Sequence, residues 1–171
     1  PKNLLPVKIW VEDSLDMPAL VQEGVDTWRG AFLYGEYDAV LVSDSSTADV
    51  VVRVGLPPAN APATATRLNT MFPGCEGVSI FDIDTVATPA ELRLPVRVYL
   101  TPRYDPATSD LTECFRITAR HELGHSLGLF QHTSDTLDIM YFLPEAGGLS
   151  ARDINTAQLA AHWPANLIPT R

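Results

Sequence analysis

An α+β fold is what this sequence predicts, and three observations carry it. Val7, Ile9 and Val11 alternate with Lys8, Trp10 and Glu12, the pattern of a strand with one buried face. Val21, Val25, Trp28 and Phe32 recur at helical spacing and form an apolar stripe suited to backing a sheet. Farther along, Phe115, Ala119, Leu123 and Leu127 mark a second helix whose other side carries Ile117, His121 and His125. A chain of 171 residues, 46% hydrophobic and 19% charged, suits one domain with a substantial core.

After the first strand, Asp16 and Pro18 open the first helix, where proline's missing N–H costs nothing. Residues 39–42 and 50–54 read as strands, the second apolar enough to lie inside a sheet. Between 56 and 74 the composition shifts to Pro, Ala, Thr and Asn, which predicts a long surface excursion without periodicity. Residues 78–84 and 95–100 read as strands flanking a turn region at 88–91. Asp110 with Glu113 marks a helix start near Leu111. Ser150 with Asp153 forms a capping pair for a last helix, and His162 stands near its end, before Pro164.

The net charge of -9, with only 12 Lys and Arg, argues against a nucleic-acid partner. No apolar run approaches the roughly 20 residues that span a bilayer, so the chain is expected to be soluble, without a membrane span. It opens on Pro1 rather than methionine, which suggests a flanking segment removed or left out. Cys75 and Cys114 could close a disulfide, remain free thiols, or supply a metal ligand.

Chemistry concentrates in residues 121–132. On a helix, His121 and His125 project one turn apart from the same face, so both imidazoles can reach one metal ion. Glu122 beside them, not itself a ligand, can take a proton from a metal-held water and return it to a leaving amine. Gly128 ends the helix, because glycine enters the left-handed region at no steric cost. The chain can then turn back and bring His132 to the metal.

This run resembles the signature of the metzincin clan of zinc peptidases, H-E-x-x-H-x-x-G-x-x-H followed by a methionine-containing turn. The usual spacing puts the third ligand at Gln131, and here the histidine comes one residue later. Either a residue is inserted after Gly128 and His132 binds zinc, or Gln131 takes the ligand place. Met140 stands eight residues after His132, as in the matrixin branch, and an amide oxygen is the poorer zinc ligand, so His132 is favoured. The segment from Leu149 to Asn155 is similar to the start of the final matrixin helix. There Asp153 matches the acid bonded to the methionine turn, while Arg152 replaces a neighbouring acid.

The resemblance implies a catalytic domain spanning 1–171, with an upper part to about 128 and a lower part from 129. Its expected parts are a mixed twisted sheet, a backing helix, an active-site helix, a Met-turn and a C-terminal helix. It implies one catalytic Zn2+ on His121, His125 and His132, with Glu122 as general base and acid and a peptide or protein as substrate. Met140 would be a packing floor and Tyr141 structural. Phe142, Leu143 and Pro144 would line a pocket for an apolar residue after the cut. Asp138, read from the residues, is either a brace for a ligand histidine or a turn-forming aspartate. The strand at 78–84 would border the cleft and accept extended substrate by strand addition. No dense Asp-Gly loop indicates calcium. A monomer outside the cell or in its envelope is expected. A zinc-containing binding module without turnover and a narrow-substrate amidase are the alternatives.

Overall fold

The computed structural model describes residues 5–62, 65–72, 75–103, 110–164 and 166–171. Its framework is a seven-stranded mixed sheet with helices on one face. β1 (Val7–Val11), β2 (Ala39–Leu41) and β3 (Val50–Val54) are joined through the helix α1 (Met17–Arg29) and a short turn at Ser45–Thr47. β4 (Ala65–Phe72), β5 (Cys75–Asp84) and β6 (Ala90–Pro102) follow, then α2 (Leu111–Ser126), α3 (Ala151–His162) and β7 (Leu167–Thr170). The strand order is β2-β1-β3-β6-β5-β4, with β7 paired to β6. The pairs β1–β2, β1–β3, β3–β6 and β6–β7 are parallel; β5 is antiparallel to both of its neighbours.

β6 is long enough to serve two partners, β7 along Ala90 to Arg93 and β3 along Val96 to Leu100. Between these stretches lies Pro95, which has no N–H for a ladder. There the β5–β6 register shifts between Ile80 and Asp82, the irregularity at which a strand proline is tolerated.

The helices bury one face of the sheet. Met17, Leu20, Val21, Val25 and Trp28 of α1 and Phe115, Ala119 and Leu123 of α2 join Ile9, Val50, Val52, Val96, Val98 and Leu100 in one core. Trp28 Nε1 donates to Arg120 O at 2.8 Å, tying α1 to α2. α1 ends at Arg29, so Phe32 follows the helix rather than extending its stripe, and packs beside Tyr37 with ring centroids 5.8 Å apart. On the other face Val78, Ile80 and Tyr99 form a small cluster with Ala61.

Two expectations are corrected. The excursion at 56–74 contains a strand, β4, whose register runs from Ala65 opposite Asp82 to Phe72 opposite Cys75; its residues 63, 64, 73 and 74 lie outside the described residues. Consequently 78–84 is not a free sheet edge: β5 pairs with β6 on one side and with β4 on the other. The pairing, rather than any apolar alternation of its own, makes β4 a strand. Thr66, Arg67 and Asn69 are exposed, the composition of a solvent-facing margin.

Cys75 and Cys114 form a disulfide, so neither is a thiol or a ligand. The bridge fastens the start of β5 to the first turn of α2. No helix among the described residues is long and apolar enough to cross a membrane.

Candidate metal centre

α2 begins where Asp110 caps it, its carboxylate accepting from Thr112 N and Glu113 N at 3.0 and 3.1 Å. About three and four turns later the helix delivers His121 and His125, both fully buried. It ends at Ser126, and Gly128 follows at φ 98°, in the left-handed region that favours glycine. The chain reverses there and returns His132, half-buried, to the same point.

The three imidazoles converge through Nε2. His121 Nε2 lies 3.1 Å from His125 Nε2, which lies 3.2 Å from His132 Nε2. The opposite ring nitrogens face acceptors: His121 Nδ1 sits 2.7 Å from Ile139 O and His125 Nδ1 2.7 Å from Leu129 O. A carbonyl only accepts, so these contacts put the ring proton on Nδ1 and leave Nε2 a bare lone pair. Burial lowers the pKa of all three rings, that of His125 to about 4, with each ring's neighbours adding to the effect at His121. They are therefore neutral at pH 7. Two such lone pairs face each other 3.1 Å apart with the His132 ring beside them, and the ligand atoms of the three rings lie within 4.8 Å of one another, close enough to hold a metal ion.

Glu122 points from α2 toward β5 and is fully buried. Ser79 Oγ donates to its Oε2 at 2.5 Å, whereas Oε1 has no hydrogen-bond partner among the described residues. Burial pushes the carboxyl up to about 8, opposed by the Ser79 bond. Gly77 makes room: a Cβ there would stand 2.3 Å from Glu122 Oε1.

The turn beyond the histidines is anchored by α3. Ser150 and Asp153 form a reciprocal capping box, and Asp153 Oδ2 also accepts from Ile139 N at 2.9 Å. Met140 is buried against α2, where a Cβ on Gly124 would lie 2.3 Å from its Sδ. Among the described residues, Asp138 braces no histidine. Its carboxylate takes bonds from Thr133 Oγ1 (2.8 Å), Ser150 Oγ (2.6 Å) and Arg152 Nε (2.7 Å), and the rings of His121 and His125 are held by backbone carbonyls instead. Arg152 also pairs with Asp135. Tyr141 bridges to Thr133 and meets Phe142 edge-on, centroids 4.7 Å apart; Phe142 is exposed, Leu143 half-buried and Pro144 buried.

Two cavities flank the segment from Gly128 to Phe130. One of about 420 Å³ lies toward α3, with His132, Met140 and Asp153 in its wall; the other, about 850 Å³, lies between that segment, the sheet and α3. Glu122 and residues 141–144 line neither. Gln131 lies in the wall of the first and is exposed.

Ser79, Gly77, Gly124 and the carbonyls of Leu129 and Ile139 have no place in the sequence-based expectations. One signal was available for two of them. Gly77 and Ser79 are small residues on alternate positions next to the apolar Val78, Ile80 and Phe81, which marks a face where something bulky approaches closely.

The chain matches no known family model, and no curated protein is significantly similar to it. The case for a metal centre therefore stands on the geometry of the three imidazoles.

Proposed function

We propose that the protein is a zinc-dependent peptidase in which His121, His125 and His132 hold the ion and Glu122 moves the proton. The observation that carries this reading is the convergence of three neutral imidazoles beside a buried carboxylate with one unpartnered oxygen. Tetrahedral zinc with nitrogen ligands at about 2.05 Å separates those nitrogens by about 3.3 Å, and the 3.1 and 3.2 Å spacings come close to it. Nitrogen donors alone, with no thiolate and no carboxylate among them, suit zinc and leave a fourth position for reaction. Bound there, zinc supplies a Lewis acid that polarises a carbonyl, lowers the pKa of a water and favours Glu122 as carboxylate.

Glu122 Oε1 then accepts the proton of the attacking water and delivers it to the amide nitrogen as the C–N bond breaks. The carbonyls of Ile139 and Leu129 keep two imidazoles in the tautomer that ligates. Met140 packs under the helix as filler, its thioether in contact with Gly124. An apolar residue after the cut would meet Phe142, which is exposed just beyond the turn and outside both cavities.

One observation favours a narrower variant. β4 covers the outer side of β5 from Cys75 to Asp82, so extended peptides are not taken up by strand addition there, and a small amide or a short peptide fits such a site better than a long chain.

The test is cleavage of a mixed unstructured-peptide library by the zinc-loaded protein, read by mass spectrometry, with Glu122→Ala as control. Cuts before apolar residues that vanish in the variant are expected. A folded, zinc-replete protein that cuts nothing in the library, but hydrolyses a small-amide panel, shifts the reading to the amidase; inactivity on both removes the enzymatic reading.

A further inference from the structure

The geometry points to Ser79 as the positioning residue for Glu122: its hydroxyl pins one carboxylate oxygen on β5, leaving the other for the proton and keeping the carboxylate off the metal. This rests on the reading of Glu122 as the base. Along β5 the side chains alternate. Gly77 and Ser79 face α2, while Val78 and Ile80 pack in the cluster on the opposite face. Ser79 is fully buried, and its backbone is held on both sides, opposite Leu68 in β4 and Val98 in β6. The backbone that carries the donor cannot drift away from Glu122 unless the sheet parts.

A hydroxyl has a single proton, so Ser79 can serve only one carboxylate oxygen. That oxygen is Oε2, at 2.5 Å. Oε1 lies over the space left by Gly77 with no partner among the described residues, an arrangement costly for a buried carboxylate unless something else meets that oxygen. In the proposed reaction the attacking water meets it. The water's O–H bond breaks as Oε1–H forms, the freed electron pair makes the bond to the carbonyl carbon while the C=O π pair moves onto the carbonyl oxygen, and that pair re-forms C=O as the C–N bond breaks and the same proton passes to the departing nitrogen.

The bond has a second effect. A carboxylate next to a histidine ligand is itself a competent metal ligand. Anchored to β5, Glu122 is held out of the coordination shell, and the position for reaction stays available.

Cobalt(II) in place of zinc reads this without turnover, because its visible bands are strong in four-coordinate sites and weaker in five-coordinate ones. The wild type, Ser79→Ala and the double variant Ser79→Ala/Glu122→Gln are compared. Weakened bands in Ser79→Ala, restored in the double variant, are expected as the released carboxylate swings to the ion. On peptide, Ser79→Ala should lose about 10- to 100-fold in kcat, the worth of a hydrogen bond to a charged group, with KM and metal content unchanged. Ser79→Thr, which keeps the hydroxyl, should recover most of it. A cobalt spectrum in Ser79→Ala identical to wild type overturns the inference, and so does an unchanged kcat. If Ser79→Ala does not fold, Ser79→Cys, a weak donor of similar size, takes its place in the same comparison. A wild type that cleaves nothing removes the peptidase reading alone, since the cobalt spectra still decide the role of Ser79.

Discussion

Asp153 and His121 hold the backbone of Ile139 from opposite ends: its amide donates to Asp153 Oδ2 at 2.9 Å, and its carbonyl meets His121 Nδ1 at 2.7 Å. The cap of α3 is thus wired to a candidate metal ligand through one peptide unit on each side of a single residue. Replacing Asp153 by Ala removes both the capping box and this brace. The expected outcome is a loss of about 1–3 kcal/mol in stability together with a metal affinity about 10- to 100-fold weaker. Thermal melting and chelator competition measure the two effects separately.

His132, not Gln131, stands with His121 and His125 close enough to hold a metal ion, and the proposed zinc site takes it as the third ligand. His132→Ala should lower zinc affinity by more than about 100-fold, beyond what loss of an outer partner costs, whereas Gln131→Ala should leave it unchanged. Equilibrium dialysis against zinc distinguishes the variants, and equal loss in both would contradict the assignment.

The metal-free protein should be most stable near pH 6.5. Histidine pKa values held below 6.5 mean that the unfolded chain binds protons first, so stability falls as the pH drops below 6.5. Glu122 works in the opposite sense. Its carboxyl, raised from 4.5 to about 8, contributes stability that is lost as the pH rises through that range. Above 6.5 the histidines no longer compensate, and about 2 kcal/mol should disappear between pH 6.5 and 8. Urea denaturation across this window should show the decline in metal-free wild type and a flat profile in Glu122→Gln.

The Cys75–Cys114 bridge closes a loop with a sequence separation of 39. Constraint of the unfolded chain over that length is worth about 4 kcal/mol. The double variant Cys75→Ala/Cys114→Ala should lose stability on that scale in chemical denaturation, and reductant should lower the wild-type melting temperature in the same direction.

Much of α2 was legible because its instructions are local. Asp110 caps it, the apolar positions recur at helical spacing, and Gly128 stops it, all within some twenty consecutive residues. The same holds for α3, whose Ser150–Asp153 box is a three-residue relation. β4 was not legible, since its polar residues carry no strand pattern and its structure comes from pairing with β5. β7, only four residues long, is likewise defined by its neighbour β6. The seat of Glu122 was hidden for a related reason. Ser79 is 43 positions away, and no spacing rule connects a strand serine with a helix glutamate.

The extra strand also changes how closely a polypeptide can approach. The amide and carbonyl row beside Ser79 is already spent on β4, so another chain lying along that side meets the outer rim of β4, one strand spacing, about 4.8 Å, farther from Glu122. The sheet has moved its own border outward, and on the proposed peptidase reading reach, rather than backbone pairing, would be the dimension along which substrates are sorted.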